Sequence, residues 1–177
     1  MSGAPVDDRA LPRGVSAAPD GPVEVHFDGA CETIGGRRVA AYGFTVEGPG
    51  LRHEDRGLAV PPGHERATNN VAEYVGAICA LEWLSMHGHV GEVRVVGDSE
   101  LVVKQMTGEY RVRAEHLEPY HERLAQLARG FRKAEFVWVR REENSRADDL
   151  SKEALRDWVR SSGRGDRAGS PPGRSVG

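Results

Sequence analysis

The chain has 177 residues, of which 38% are hydrophobic and 29% are charged, and its formal net charge is −3. These values suit one soluble globular domain with a sizeable core. They argue against a membrane-spanning protein, because no apolar run approaches the roughly 20 residues that a transmembrane helix needs. The acidic balance is also unlike that of a typical basic nucleic-acid-binding domain.

The two ends of the chain are rich in small and polar residues. Residues 1–20 and 161–177 show no periodicity, so we expect disordered tails around a folded domain at 21–160. The N-terminus lacks the basic and apolar regions of a secretory signal, which predicts a cytoplasmic protein. Cys31 and Cys79 match neither a zinc spacing nor a disulfide framework. Nothing indicates an obligate protein partner, and we expect a monomer.

Three strands are predicted at the start of the domain. Alternating apolar and polar residues predict a strand at 23–28. β-branched and aromatic residues predict a second strand at 39–47, and a weaker third strand at 51–60 ends before a Pro-Pro-Gly run. The glycine-rich joints between these strands favour an antiparallel meander.

Helices and strands alternate in the rest of the domain. Apolar residues at helical spacing from Val71 to Leu81, after the capping residues Thr68 and Asn69, predict the first helix. The elements that follow are a strand at 92–97, a helix from Ser99 to about Thr107, a helix marked by Leu117 to Phe131, a strand at 134–139 and a helix from Ser145 to Val159. The order βββαβααβα predicts an α/β fold: a five-stranded mixed sheet, with three antiparallel strands extended by parallel ones, flanked by helices.

Four acidic residues stand at the ends of these elements. Asp28 and Asp98 close the first and fourth strands, and Glu73 and Asp148 lie in the first turns of the first and last helices. If those two strands are parallel neighbours, their aspartates project from the same edge, where sites in open α/β sheets lie. Carboxylates without cysteine or clustered histidine favour hard cations, Mg²⁺ first and Mn²⁺ next. Two such ions can hold the attacking and leaving oxygens of a phosphoryl displacement, which would explain a set of four.

Each acid also has a purely structural explanation. Asp148 fits a capping box that begins at Ser145, and Glu73 suits the dipole of its helix. Asp28 precedes a glycine, which is a common turn signal, and Asp98 marks a passage from strand to helix. None of these explanations predicts the four acids together.

Four segments, in order along the chain, resemble the type 1 ribonuclease H family. They are Asp28-Gly29-Ala30-Cys31, like its DG[SA] opening; residues 68–73 (TNNVAE), like its TNNxAE motif; residues 98–103 (DSELVV), like its DSxLVV segment; and residues 144–151 (NSRADDLS), like its NxxADxLA segment. The resemblance covers about residues 22–157, and four motifs in the right order are highly specific.

The resemblance implies an endonuclease that hydrolyses the RNA strand of RNA–DNA hybrids with two Mg²⁺ or Mn²⁺ ions, leaving 5′-phosphate and 3′-hydroxyl ends. It implies metal-binding and catalytic roles for Asp28, Glu73, Asp98 and Asp148. Asp148 is the match rather than Asp149, because the family aspartate directly follows the alanine and stands two residues before the leucine.

The resemblance also implies contacts with the substrate. The positions that match are Gly29, Ala30, Cys31, Asn69, Asn70 and Ser99. The 2′-hydroxyl of the substrate distinguishes RNA from DNA, so its recognition at these positions would explain why one strand is cut. For Cys31, packing is an equal alternative.

The sequence departs from many family members in two places. The loop before the last helix, residues 140–144, is short and contains no histidine. Arg141 is the candidate substitute; because arginine stays protonated, it would neutralise developing charge rather than deliver a proton. A basic helical handle between the second and third helices is also missing, so the resemblance is to members with a short loop and no handle.

Two alternatives stay open. One is a catalytically weak or silent module that binds hybrids; the other is a different nuclease of the same fold. Exonucleases of that fold begin with Asp-x-Glu, whereas Gly29 and Ala30 follow Asp28. His26 alternates onto the Asp28 side of its strand and has either a packing or a supporting role.

Overall fold

The computed structural model describes residues 21–165. The strands are β1 (Val23–Ile34), β2 (Arg37–Gly48), β3 (Leu51–Leu58), β4 (Glu92–Gly97) and β5 (Lys133–Trp138). The α-helices are α1 (Asn69–Met86), α2 (Glu100–Met106), α3 (Glu118–Ala128) and α4 (Ser145–Gly165). Short 3₁₀ turns at Glu115–Leu117 and Arg141–Asn144 precede α3 and α4.

The five strands form one mixed sheet in the order β3-β2-β1-β4-β5. The neighbours β1–β2 and β2–β3 are antiparallel, whereas β4 is parallel to both β1 and β5. This confirms the predicted α/β fold and its element order. The parallel ladder between β1 and β4 runs from the pair Val23–Val93 to the pair Phe27–Gly97.

Helices cover both faces of the sheet. On one face, Phe27 and Phe44 belong to the main core, which includes Tyr74 and Leu81 of α1 and Leu124 of α3. On the other face, a smaller cluster joins β2 to α4 through Val39, Ala41, Ala154 and Leu155. Alternation along β1 therefore sends Val25 and Phe27 to one helical layer and leaves Asp28 for the other face.

The first strand is longer than its sequence pattern indicated. Its pairing with β2 continues to the pair Ile34–Arg37, and the hairpin turns at Gly35 and Gly36, whose φ angles are +57° and +78°. Two successive positive φ angles favour glycine and match the twist of a tight hairpin. None of residues 30–34 in the outer part of β1 is fully buried, and this segment lacks the apolar alternation that reveals a strand.

Two helix boundaries also differ from the prediction. The helix α4 continues to Gly165, beyond the expected end at Val159 and beyond the predicted domain limit at 160. The third helix is shorter than expected, because Leu117 lies in the preceding 3₁₀ turn and Phe131 lies after the end of α3. Residues 1–20 and 166–177 lie outside the described residues, so the disordered tails stay a prediction there. Within residues 21–165, no helix is long and apolar enough to cross a membrane.

Candidate active site

The parallel pairing of β1 and β4 brings two of the predicted acids to one edge. Phe27 and Gly97 form the last pair of that ladder, so Asp28 and Asp98 are the next residues on two neighbouring strands. Asp98 follows the end of β4, as predicted. The prediction that Asp28 closes its strand is wrong, since β1 continues to Ile34 along β2. At Asp28 the parallel pairing of β1 with β4 has ended, while the antiparallel pairing of β1 with β2 continues.

A close contact at Gly29 brings the first helix to this edge. A Cβ at Gly29 would lie 2.2 Å from the backbone nitrogen of Glu73 and 2.5 Å from the carbonyl carbon of Ala72. Only glycine permits this approach of strand and helix backbones. The prediction that Glu73 lies in the first turn is wrong: α1 begins at Asn69, and its first turn holds no acidic residue. Glu73 is in the second turn.

The last helix packs against the opposite face of the sheet in the same way. A Cβ at Gly43 of β2 would lie 2.5 Å from Cβ of Leu150 and 2.6 Å from the backbone nitrogen of Ser151. This contact holds the start of α4 against the sheet, with Asp148 in the first turn as predicted. Asp148 is 9% exposed, whereas its neighbour Asp149 is exposed.

The capping-box explanation of Asp148 fails at Ser145. Its φ of −59° and ψ of −37° are helical, whereas an N-cap residue has extended dihedral angles. Asp148 is engaged by other partners.

The four carboxylates influence one another electrostatically. The pKa of Asp28 is raised to about 6, mainly by burial and also by the charges of Asp98 and Asp148, although a hydrogen bond from Ser151 acts to lower it. Burial likewise raises the pKa of Glu73 to about 7, with contributions from Asp28 and Asp98. Crowded, partly desolvated carboxylates of this kind are typical of functional sites.

Each of the four acids accepts hydrogen bonds from donors within the chain. Ser99 and Asn69 donate to Glu73. Ser151 donates to Oδ2 of Asp28 at 2.5 Å, and Asn144 donates to Oδ1 of Asp98 at 2.7 Å. Arg141 and Lys152 donate to Oδ1 and Oδ2 of Asp148, each at 2.5 Å. These donors offset part of the repulsion within the cluster.

Asp148 differs from the other acids because two cations contact it. Its partial burial alone would raise its pKa, but the hydrogen bonds from Lys152 and Arg141 outweigh this effect, and its pKa lies below the ordinary value. Arg141 is 65% exposed and Lys152 is 41% exposed. Arg141, the candidate substitute for the loop histidine of other family members, therefore contacts one of the four acids.

The residues predicted to contact the substrate differ in how exposed they are. Asn69 is exposed and donates to Oε1 of Glu73 at 2.9 Å. Asn70 and Ala30 are partly buried, as is Cys31, whose thiol donates to the carbonyl oxygen of Ala67. Gly29 and Ser99 are buried.

The buried pair has structural roles that the motifs did not reveal. Gly29 permits the contact with α1 described above, and Ser99 caps α2 through the backbone nitrogen of Val102. The substrate contacts of these two residues stay predictions.

Three contributors to the site were not predicted. Asn144 and Ser151 are the two ends of the fourth motif and Lys152 follows it, but the resemblance implies no role for any of the three. The signal was present for the last two, because positions three and four residues after Asp148 lie beside it on a helix. For Asn144, no local pattern links it to Asp98, which is 46 positions away.

The donor chemistry of the site fits hard divalent cations. Four carboxylates from β1, α1, α4 and the end of β4 interact at one edge, and oxygen ligands of this kind suit Mg²⁺ and Mn²⁺. Among residues 21–165, no group of three or more histidine, cysteine or acidic side chains is arranged to hold an ion as it stands. Arg141 and Lys152 occupy the two carboxylate oxygens of Asp148, so an ion bound by this carboxylate would compete with these two cations.

Comparison with known proteins gives consistent matches. The family model described as "Reverse transcriptase-like" matches residues 53–154. Ribonuclease HI of Halobacterium salinarum is 37% identical over 159 residues, covering 89% of this chain and 74% of that protein.

Solved structures give matches of the same kind. The N-terminal RNase H domain of rv2228c from Mycobacterium tuberculosis superposes with a TM-score of 0.68 at 30% identity, covering 80% of this chain and 98% of that one. LC11-RNase H1, whose crystal structure is in complex with an RNA/DNA hybrid, has a TM-score of 0.67 at 33% identity, covering 77% of this chain and 99% of that one.

Proposed function

Because this chain belongs to the type 1 ribonuclease H family and is a ribonuclease H, we propose that it cuts the RNA strand of RNA–DNA hybrids internally, leaving 5′-phosphate and 3′-hydroxyl ends. The observation that carries the proposal is the meeting of four carboxylates at one sheet edge, with the pKa of Asp28 and of Glu73 raised to about 6 and about 7. The hybrid in complex with LC11-RNase H1 supports the substrate class.

Asp28, Glu73, Asp98 and Asp148 are the residues that would hold two divalent ions, Mg²⁺ or Mn²⁺. When bound, such ions stabilise the charge that develops on phosphate oxygens during hydrolysis. Burial is the main cause of the raised pKa values of Asp28 and Glu73, and positive charge at this edge would offset the smaller contribution from repulsion among the acids.

Hydrogen bonds within the chain keep the carboxylates in place for this task. Ser151 is fixed by its own helix, because its hydroxyl also contacts the carbonyl oxygen of Asp148 at 2.9 Å. The same hydroxyl donates to Asp28, so the second turn of α4 holds an acid of β1. Such outer contacts orient metal ligands, and their removal typically costs roughly 10- to 100-fold in metal affinity or activity.

Arg141 has the chemistry to stabilise the reacting phosphate. Its side chain is largely exposed and is held at the edge only by Asp148 among the described contacts. A guanidinium that leaves this carboxylate can pair with a phosphate oxygen in a bidentate manner. It remains charged throughout, so its contribution is electrostatic and it transfers no proton.

The exposed residues at the start of α1 are candidates for recognition of the RNA strand. Asn69 is exposed beside Glu73, and its carboxamide has both a donor and an acceptor for a 2′-hydroxyl. Asn70, Ala30 and Cys31 belong to the same motifs as Asn69 and Asp28, and they are partly exposed. They are further candidates for contact with the RNA strand.

The test is a cleavage assay with end-labelled RNA–DNA hybrid, double-stranded RNA and double-stranded DNA, each with Mg²⁺, Mn²⁺ or chelator. We expect cleavage of the RNA strand of the hybrid alone, and only with a divalent ion. A hybrid with both ends blocked should also be cut, because an endonuclease needs no free end. Cleavage of unblocked hybrid only would indicate an exonuclease.

Two adjacent aspartates supply a matched pair of variants. Asp148→Asn should abolish cleavage, whereas Asp149→Asn should keep it, because Asp149 is exposed and outside the cluster. Hybrid binding by the wild-type protein without cleavage in either metal would contradict the proposed hydrolysis and favour the silent binding module.

A further inference from the structure

A line of hydrogen bonds leads from a partly exposed histidine of β1 to one of the four acids. His26 of β1 contacts Oδ1 of Asn144 through Nδ1 at 3.2 Å. Asn144, in turn, donates from Nδ2 to Oδ1 of Asp98 at 2.7 Å. Residues 26, 98 and 144 are far apart in the sequence, so only the fold creates this connection.

The carboxamide of Asn144 has only one orientation that fits its surroundings. Its nitrogen lies 2.9 Å from the carbonyl oxygen of Phe27 and 2.7 Å from the carboxylate of Asp98. Both of those partners are acceptors, so the NH₂ group must point toward them. The side-chain oxygen therefore faces His26, and Asn144 is only 1% exposed.

His26 must then donate from Nδ1, because a carboxamide oxygen can only accept. On the other side of the ring, Nε2 lies 2.8 Å from Oε1 of Glu24. Glu24 is itself held by Arg94, which donates to Oε2 at 2.9 Å.

We propose that His26 is a positioning residue for the hydrolytic reaction, acting through Asn144 to hold the carboxylate of Asp98 in the orientation that binds a divalent ion. The inference rests on the proposed function, because it takes Asp98 to be one of the ion-binding acids. Glu24 and Arg94 complete the support by fixing the imidazole ring.

Loss of the His26 donor would loosen this arrangement. The buried oxygen of Asn144 would lose its partner, which is costly for a polar atom away from water. Rotation of the carboxamide would then exchange its nitrogen and oxygen, and an acceptor would face Asp98. Partners that orient metal ligands typically change metal affinity or activity by roughly 10- to 100-fold when they are removed.

Two substitutions at one position separate the donor from the rest of the side chain. In His26→Asn, the side-chain nitrogen takes the place of Nδ1 and can donate to Asn144. In His26→Gln, the nitrogen lies farther out, near the position of Nε2, and the contact with Asn144 is lost. His26 borders an open groove that also contains Thr45 and Arg52, so neither replacement crowds the core.

The experiment measures Mn²⁺ affinity by calorimetry, kcat and KM for hybrid cleavage, and the ¹⁵N side-chain signal of Asn144 in metal-free protein. We expect His26→Gln to weaken Mn²⁺ binding roughly tenfold and to lower kcat with KM unchanged. Its Asn144 signal should shift and exchange faster with water. His26→Asn should resemble the wild-type protein in all three measurements.

The positioning role is wrong if His26→Gln keeps wild-type Mn²⁺ affinity, or if both variants lose affinity equally. An Asn144 signal that is the same in wild-type and His26→Gln protein would also overturn it. A wild-type protein that does not cut hybrids in Mn²⁺ would instead contradict the proposed function. The Asn144 signal needs neither metal nor substrate, so it tests the positioning role in that case as well.

Discussion

Replacement of Gly29 by alanine tests how the fold brings Glu73 to the sheet edge where the four acids lie. The added methyl carbon would lie 2.2 Å from the backbone nitrogen of Glu73, about 1.2 Å closer than the 3.4 Å at which ordinary contact begins. Both atoms belong to regular backbone, so α1 must move away from β1. Overpacking of this kind costs about 1–3 kcal/mol of the free energy of unfolding.

The effect on catalysis should exceed the effect on folding. A misplacement of about 1 Å costs on the order of a hundredfold in rate, and Glu73 moves with its helix. Urea unfolding gives the stability, and hybrid cleavage under conditions where the variant is folded gives the rate. Gly48→Ala is the control, since its methyl meets Val23 at 2.8 Å, away from the four acids.

Gly48→Ala should lose stability while keeping most of its turnover. Wild-type turnover in folded Gly29→Ala would refute the reasoning, and so would equal losses of turnover in the two variants.

Three further perturbations have defined outcomes. Tyr74→Phe should lower the free energy of unfolding by about 1–3 kcal/mol, because the buried oxygen of Gln105 loses a hydrogen bond of 2.6 Å; an unchanged urea midpoint would contradict this. Asp28→Asn should stabilise the metal-free protein by about 1–2 kcal/mol above pH 6, because burial and neighbouring charges raise the pKa of Asp28 to about 6 and disfavour its charged form in the folded state. This gain should vanish as the pH falls below the ordinary value of 3.8, where the carboxyl is protonated in both states; an equal gain there would refute the electrostatic cause. Lys152→Met removes one of the two cations on Asp148, so cleavage should reach half its maximum at a lower Mg²⁺ concentration; a higher midpoint would be the contrary result. Its melting temperature should change little, because the Lys152 side chain is 41% exposed and a salt bridge at that exposure adds little stability.

The sequence predicted the order of the elements because most strands and helices have regular apolar spacing. The strand β4 is the clearest case. Its buried residues Val93, Val95 and Val96 form a short β-branched run that predicts a strand, and the predicted bounds agree with the structure. The outer part of β1 was missed because its pairing partner is β2 alone and none of residues 30–34 is fully buried, so the segment has no clear apolar alternation.

The four acids were identified from motifs, but their surroundings depend on contacts between distant segments. Ser151 and Asp28 are 123 positions apart, and His26 and Asn144 are 118 positions apart. No local periodicity reports such contacts. The monomeric state and the cytoplasmic location stay predictions.

The central claim is that Asp28, Glu73, Asp98 and Asp148 together hold the divalent ions that the reaction requires. Anomalous X-ray scattering from crystals soaked in Mn²⁺ tests it most directly. We predict Mn²⁺ peaks among these four carboxylates, with Arg141 and Lys152 displaced from Asp148. Mn²⁺ bound elsewhere, with both cations still on Asp148, would contradict the account.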